Sequence, residues 1–337
     1  MLKYLLKAPD TAWTADSPAE ANVKNLKIKY LGTAGFILSD QHRTVVLDPF
    51  ISRPNLTQTF TQPLLSDPEL VRQHIPNADD VLIGHAHYDH ILDAPEVCKQ
   101  TGARLIGSKA TLMYGRSAGL SESQMLETKG REIIDCGQWQ VVGLPSIHGK
   151  ALFGRVPLPG DMTTPPPYPP RFHHLRHGQV FNWWINTGHL RVVHIDSADF
   201  IEQELQGRQA DIVCLCAIGR KYRPNYVKDV VRLLKPKYII PCHWDSMVTP
   251  IDDVPQLLPG VNIPEFIEEI KASGAYNIKV DNEVKELVIA IADTNTDDNM
   301  LFIKMDKKTS TVKKNKIQKN KTPIYKNILF IIFYTLF

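Results

Sequence analysis

The sequence predicts an α/β fold in which two β-sheets pack face to face and helices lie outside them. Strand and helix patterns alternate through residues 26–148 and again through residues 180–292. A proline-rich segment, 149–178, separates these two stretches, which are similar in character. The chain has 337 residues, of which 43% are hydrophobic and 22% are charged, and this composition is sufficient for a large apolar core.

The first half begins with strand patterns over residues 26–48, where β-branched and aromatic residues alternate with polar ones. A cap followed by a proline at 66–69 predicts the start of a helix that continues to about residue 74. Short apolar runs at 80–84 and 103–107 predict buried strands, with a helix over 94–101 between them. These elements predict a mixed sheet with helices outside it.

The second half resumes strand character at 132–148, and the pattern then breaks. Seven prolines lie within 149–178, so this segment cannot form a regular element, and we expect a lid or a disordered loop. Beyond it the sequence predicts strands at 180–186, 190–195, 211–217 and 237–240, helices at 225–234 and 264–273, and a strand pair near 277–292.

Charge and composition divide the chain into three parts. We expect an N-terminal extension over 1–24, one main domain over 25–292, and a Lys/Asn-rich tail over 293–337 that is disordered or artefactual. The tail holds nine Lys and four Asp, so it contributes +5 to a net charge of +3 and the rest of the chain contributes −2. A nearly neutral body does not favour nucleic acid as a partner.

Five scattered cysteines, an odd number, do not resemble a disulfide framework and indicate a reducing compartment such as the cytoplasm. The apolar stretch at Leu2, Leu5 and Leu6 is too short for a signal peptide. It leaves a peripheral membrane contact open. We expect a small-molecule substrate as the partner and leave a homo-oligomer open.

Four metal-ligating side chains fall within six residues, directly after the apolar run 80–84. They are His85, His87, Asp89 and His90. Imidazole and carboxylate groups suit zinc. His85 and His87, two residues apart in an extended turn, can point the same way, whereas Asp89 and His90 can face a second metal. The motif therefore predicts two metals, about 3.5–4 Å apart.

Three further candidate ligands each end a predicted strand, namely His148, Asp196 and His243. Taken singly, a histidine in such a place is commonly a hydrogen-bonded structural residue, and an aspartate is commonly a helix cap. Their shared position at strand ends favours a role as metal ligands.

Together these residues resemble the signature of the metallo-β-lactamase superfamily, His-x-His-x-Asp-His followed by a downstream His, Asp and His. The segment YLGTAGF at 30–36 and Asp48-Pro49 also resemble its opening strands, and the likeness covers residues 25–292. Within the superfamily the chain looks closest to the ascorbate-6-phosphate lactonases and the N-acyl-phosphatidylethanolamine phospholipases D. The resemblance implies a four-layer αββα sandwich with its site at one edge of the sheets.

The resemblance also implies how the ligands divide between the metals. The first metal would be held by His85, His87 and His148, the second by Asp89, His90 and His243, and Asp196 would bridge the two. The bridging aspartate of the superfamily usually follows a glycine, but here it follows Ile195. Asp199 is therefore an alternative for the bridging role.

This ligand set predicts a hydrolase that uses a hydroxide shared between two Zn²⁺ ions, with Mn²⁺ or Fe²⁺ as alternatives. Two divalent metals would lower the pKa of a shared water from 15.7 toward roughly 7. Asp89 would orient this nucleophile as a catalytic residue. The expected substrate is a small-molecule ester, lactone or phosphorylated compound. Tyr168, His173 and His174 are candidate substrate-binding residues, and His177 joins them as a candidate proton donor.

Three alternatives remain open at this point. The enzyme could be a phosphodiesterase acting on phospholipid or nucleotide, with Arg220, Lys221 and Arg223 as candidates to meet an anionic group. It could be a di-iron redox protein, although such proteins of this fold generally carry Glu at the position of His87. It could also be a binding module with a vestigial site, which the full ligand set disfavours.

Overall fold

The computed structural model of the protein describes residues 23–277, 286–292 and 301–306. One sheet in this part of the chain has eight strands: β1 (Val23–Gly32), β2 (Gly35–Ser39), β3 (Thr44–Leu47), β4 (Asp80–Leu82), β5 (Arg104–Gly107), β6 (Met125–Glu127), β14 (Glu286–Ala292) and β15 (Leu301–Asp306). Their order is β15-β14-β1-β2-β3-β4-β5-β6. The strands from β3 to β6 run parallel, and the others pair antiparallel.

The other sheet has seven strands: β7 (Ile133–Cys136), β8 (Trp139–Ser146), β9 (Val180–Asn186), β10 (Arg191–Ile195), β11 (Ile212–Cys216), β12 (Tyr238–Cys242) and β13 (Tyr276–Asn277). Their order is β13-β12-β11-β10-β9-β8-β7. The strands from β10 to β13 are parallel, so their C-terminal ends meet at one edge of the sheet.

The helices are α1 (Leu56–Thr61), α2 (Pro68–His74), α3 (Tyr88–Ile91), α4 (Ala94–Thr101), α5 (Lys109–Ser117), α6 (Glu202–Leu205), α7 (Tyr226–Leu234) and α8 (Ile263–Ala272). Local chemistry fixes several of their ends. Asp67 accepts hydrogen bonds from the first backbone N–H groups of α2, and Gly102, at φ 78°, ends α4 in the left-handed conformation.

The core explains the four layers. Val45 in β3 belongs to the same apolar cluster as Val141 and Trp183 of the other sheet, whereas its neighbour Val46 belongs to a second cluster that includes Val71 of α2. Successive side chains of a strand point to opposite faces, so β3 is apolar on both sides and is covered on both. Residues of α7 and α8 join the core on the far side of the other sheet. The predicted αββα sandwich is confirmed.

Most predicted elements lie where the sequence placed them, including the helices at 94–101 and 225–234. We missed α5, whose interior contains Gly115, a poor helix former. This glycine provides space, because a Cβ there would approach Leu105 to 2.8 Å. The strand pair expected near 277–292 is divided, since β13 and β14 lie in different sheets.

Strand β15 pairs antiparallel with β14 and lies within the segment 293–337, which we expected to be disordered or artefactual. The expectations for residues 1–22, and for the tail apart from β15, lie outside the described residues. The described helices include none with both the length and the apolar character needed to cross a membrane.

Candidate metal centre

The motif His85–His90 begins just beyond β4. The preceding Gly84 is held by two neighbours, because its N–H donates to the Asp48 carboxylate (2.7 Å) and its carbonyl accepts from the Phe181 N–H (2.8 Å). The backbone is extended up to His87 and then turns into α3. Asp89 and His90 therefore lie on the first turn of α3, although the rings of His85 and His90 still adjoin, with centroids 3.8 Å apart.

The three downstream candidates each follow a strand of the seven-stranded sheet. Asp196 directly follows β10, His243 directly follows β12, and His148 lies two residues beyond β8. His243 has a φ of 52°, and its N–H donates to the Thr33 carbonyl at 2.5 Å, which joins the two sheets at this point. The strand ends of both sheets therefore meet at one edge of the sandwich.

All seven predicted metal-ligand residues come together at this edge. Their potential ligand atoms form three groups, each with its atoms within 4.8 Å of one another. The groups are His85, His87 and His148; His85, His90 and Asp196; and Asp89, His90 and His243. The shared histidines make the three groups one continuous cluster, which we call the ligand cluster.

The chemistry of the ligand cluster fits bound metal. The His85 Nε2 and His87 Nδ1 atoms approach to 3.0 Å, and the His85 Nδ1 atom lies 2.5 Å from an Asp196 oxygen. Within the described part of the chain, Asp196 Oδ1 and His243 Nδ1 are buried and have no hydrogen-bond partner. Buried polar atoms are rarely left unpaired without a reason, and a cation would satisfy the Asp196 oxygen, whereas in His243 it is the other ring nitrogen, Nε2, that faces Asp89.

Burial also places the imidazoles in the protonation state that a metal requires. Desolvation lowers the pKa of His87 and of His90 to about 3, and it lowers the pKa of His85 well below its usual value. Neutral imidazoles carry the lone pair that binds a metal. The cluster therefore offers neutral nitrogen donors beside the carboxylates of Asp89 and Asp196.

Asp48 is a site residue that we did not predict. It follows β3, and its Oδ2 accepts a hydrogen bond from the Nδ1–H of His90 at 3.0 Å, which leaves the Nε2 atom of that ring for a metal. The strand-end position that marked the downstream ligands could have identified it. His194 is fully buried and donates through Nε2–H to the Ala34 carbonyl at 2.8 Å.

Asp199, the alternative bridging residue, lies outside the three groups. It forms an ion pair with Arg223.

A Cβ at Gly84 would lie only 2.2 Å from the Asp196 Oδ2 atom. The absence of a side chain at Gly84 thus provides the space that Asp196 occupies.

A cavity opens onto the ligand cluster. Besides the cluster residues, its lining comprises Tyr88, Gly149, Ala151, Pro157, Leu158, Ser197, Cys216, Ile218 and Met247. Ala151, Pro157 and Leu158 belong to the proline-rich segment, and the Leu158 carbonyl lies 3.4 Å from His87 Nε2. The first part of that segment therefore forms a wall of the cavity.

The three predicted substrate-binding residues do not line this cavity. Tyr168 is 46% exposed, and its ring packs 6.5 Å from that of Tyr114. His173 and His174 follow Phe172, whose ring packs against Phe60 at 5.1 Å. Neither His173 nor His174 is among the residues that line the cavity, so the geometry does not support a contact with a substrate there.

His177 has a different position from its neighbours in the segment. Its ring centroid lies 5.7 Å from that of His148 in a stacked arrangement and 5.7 Å from that of His87. Its backbone carbonyl also accepts a hydrogen bond from the Ala86 N–H at 2.9 Å. Of the four residues that we singled out in the segment, it alone contacts the ligand cluster.

The fold and the cluster together define a class of protein, a sandwich of two sheets with a candidate metal centre where the strands of both sheets end. The chain belongs to the β-lactamase superfamily domain family, whose model matches residues 27–243. It is similar to a UPF0173 metal-dependent hydrolase of Pyrobaculum islandicum, with 26% identity over 66% of this chain and 85% of that protein. A UPF0173 metal-dependent hydrolase of Methanopyrus kandleri is 26% identical over 74% of this chain and 93% of its own length.

Solved structures share the fold at lower identity. Igni18, a metallo hydrolase from Ignicoccus hospitalis, has a TM-score of 0.54 and 17% identity, covering 80% of this chain and all of its own. CmlA, a diiron β-hydroxylase from Streptomyces venezuelae, has a TM-score of 0.51 and 15% identity, covering 80% of this chain and 55% of its own. At these identities the likeness concerns the fold alone.

Proposed function

We propose that this protein is a metal-dependent hydrolase with a two-metal centre in the ligand cluster. The observation that carries the proposal is the convergence of seven ligand residues from both sheets, with a cavity directly in front of them. The names of the curated relatives, metal-dependent hydrolases, support the same reaction class. A vestigial site would not need to keep a complete and buried set of donors.

The proposed division of the ligands follows the three groups. One metal would be held by His85, His87 and His148 and the other by Asp89, His90 and His243, and Asp196 is grouped with His85 and His90, one ligand of each set. When bound, two divalent metals supply a nucleophilic water at neutral pH and stabilise negative charge on the substrate. Zn²⁺ suits the imidazole-rich set, and Mn²⁺ or Fe²⁺ are alternatives.

The residues of the chain contribute orientation. The Asp89 Oδ2 atom lies 3.3 Å from His243 Nε2 and 3.6 Å from His90 Nε2, so its carboxylate is fixed between two imidazoles. In the proposed reaction this carboxylate accepts a hydrogen bond from the attacking water and orients it. Asp89 is therefore the proposed catalytic residue as well as a ligand.

A small-molecule ester or lactone is the proposed substrate. The site favours hydrolysis over di-iron redox chemistry, since His87 occupies the position where Glu is usual in the redox proteins. The five cysteines are unpaired and buried, which supports a reducing compartment such as the cytoplasm. Nucleic acid is not a proposed partner.

Metal removal tests the proposal directly. Purified protein should contain about two equivalents of metal by elemental analysis, and chelation should abolish hydrolysis of an ester and lactone panel until Zn²⁺ or Mn²⁺ is restored. His87→Ala should lose metal and activity, whereas His189→Ala, at an exposed turn, should lose neither. Full activity in the metal-free protein, or in His87→Ala, would contradict the proposal.

A phosphodiesterase is the alternative outcome of the same panel. Turnover of bis(p-nitrophenyl) phosphate or of a phospholipid, with every ester and lactone inert, would replace the proposed substrate class. It would leave the metal centre itself in place.

A further inference from the structure

We propose that the substrate is uncharged and apolar in the part that lies away from the bond that reacts. The inference rests on the proposed function and concerns the cavity walls beyond the ligand cluster. Such walls contact the rest of the substrate and so decide which molecules the enzyme accepts. The proposal excludes substrates that carry a phosphate or carboxylate remote from the reacting group.

The walls are formed by apolar side chains from three parts of the fold. Pro157 and Leu158 come from the proline-rich segment, Ile218 follows β11, and Met247 follows β12. Ile218 and Met247 are both half-buried, so each presents part of its side chain to the cavity. An aliphatic or aromatic group placed here gains by leaving water, whereas a charged group loses its hydration.

No lysine or arginine stands in these walls, as far as the described residues go. Of the three basic residues that we expected to meet an anion, Lys221 is exposed and is absent from the cavity lining, and the two arginines are engaged in ion pairs. Arg220 is 6% exposed and forms ion pairs with Glu265 (2.8 Å) and Glu269 (3.2 Å). Arg223 pairs with Asp199, so neither guanidinium is available to a substrate anion.

The few polar groups in the walls already have partners within the protein. The Ser197 hydroxyl oxygen accepts the Gly149 N–H at 2.8 Å, and the Cys216 thiol lies 3.6 Å from the Ile218 carbonyl. The Tyr88 hydroxyl is directed at the Met247 sulfur, 3.9 Å away. Among the described residues of these walls, a remote anionic group would therefore find no opposite charge, and only the Ser197 hydroxyl could still donate a hydrogen bond to it.

A matched pair of esters tests the inference with the metal-loaded protein. 4-Nitrophenyl hexanoate and 4-nitrophenyl hemiadipate have the same chain length, but the second ends in a carboxylate. We expect kcat/KM for the hexanoate to be at least about tenfold higher, since the walls cannot compensate the charge. Lengthening the acyl group from acetate to hexanoate should raise kcat/KM by roughly fourfold for each methylene that the walls bury. Equal or faster turnover of the hemiadipate would overturn the inference.

A variant with an added cation tests the same point in reverse. Met247→Lys should raise kcat/KM for the hemiadipate and lower it for the hexanoate. Its control, Met247→Gln, has a similar length and no charge, and it should slow the hexanoate without helping the hemiadipate. Ile218→Lys and Ile218→Gln repeat this comparison at a second position in the walls. If the Lys and Gln variants have the same kcat/KM for the hemiadipate at both positions, the walls do not contact this part of the substrate and the inference is wrong.

A binding measurement separates this inference from the proposed function. Calorimetry should show hexanohydroxamate binding the metal-loaded protein at least about tenfold more tightly than the adipic monohydroxamate, which carries a terminal carboxylate. That preference, without turnover of any ester, lactone or phosphodiester, would support the apolar walls and contradict hydrolysis. Turnover with equal binding of the two hydroxamates would support hydrolysis and contradict the apolar walls. If neither compound binds and no ester, lactone or phosphodiester is hydrolysed, both proposals are wrong.

Discussion

Arg53 and Asp245 form a buried ion pair, in which the Arg53 Nη2 and Asp245 Oδ2 atoms lie 3.0 Å apart. Asp245 lies two residues beyond His243 in the sequence. The other Asp245 oxygen accepts hydrogen bonds from the Tyr30 hydroxyl (2.6 Å) and the Thr33 N–H (2.8 Å). The Thr33 carbonyl in turn accepts from the N–H of His243. The ion pair thus fixes both segments that position this predicted ligand.

Removing one partner of this pair should be costly. Arg53→Met leaves the Asp245 carboxylate buried without its counter-charge, and we expect the free energy of unfolding to fall by about 3–5 kcal/mol. Urea denaturation measures this change. Arg72→Met is the control, because Arg72 forms an exposed pair with Glu69 and its loss should have little effect. Equal stability of the two variants would show that the buried pair contributes little.

Asp48 should raise the metal affinity of the site, although it is not itself one of the proposed metal ligands. Asp48→Asn keeps the size of the side chain but weakens its hold on the Nδ1–H of His90, and such changes typically cost 10–100-fold in metal affinity or activity. Competition with a chromophoric chelator measures the affinity. Asp211→Asn, which weakens contacts to Arg191, should leave metal affinity unchanged. An unaltered affinity in Asp48→Asn would remove Asp48 from the site.

Gly84 should tolerate no side chain. Its Cβ in Gly84→Ala would lie 2.2 Å from Asp196, so this carboxylate must move and metal content should fall. Elemental analysis of the folded variant checks the effect. Gly143→Ala is the matched control, because its Cβ would lie 3.2 Å from Trp183 in the core. It should lower the melting temperature and keep the metal. Full metal occupancy in Gly84→Ala would show that Asp196 has room to move.

The histidines of the proline-rich segment should differ in importance. The His177 ring packs beside His87 and His148, so His177→Ala should weaken metal binding several-fold by freeing those rings. His174→Ala should leave metal binding and activity near those of the unaltered protein, because its ring lies outside the cavity. Comparable losses in both variants would mean that the whole segment acts as one unit.

Part of this architecture can be predicted from short sequence patterns, such as helix caps and the spacing of residues along a strand. Asp67 before Pro68 predicts the start of α2, and Gly102 predicts the end of α4, because capping depends on neighbouring backbone groups. The spacing of His85 and His87 likewise identifies candidate ligands, since an extended strand end directs alternate residues to one side. Such features need only a few consecutive residues.

The proline-rich segment shows where local rules fail. Its composition excludes regular structure, but nothing within it distinguishes His174 from His177. That difference arises because Phe172 packs against Phe60, more than 100 residues earlier, while His177 is held by Ala86. Asp48 was missed for a related reason: its bond to His90 exists only because β3 and β4 are adjacent in the sheet.

The sequence by itself determined the four layers and the seven residues that the cluster contains. Only the tertiary structure decided which of them adjoin, that Asp48 supports His90, and that the cavity walls are apolar and without Lys or Arg among the described residues. The physical reason is distance along the chain. Periodicity and capping act over a few residues, whereas a site made from β4, β8, β10 and β12 depends on how two sheets pack together.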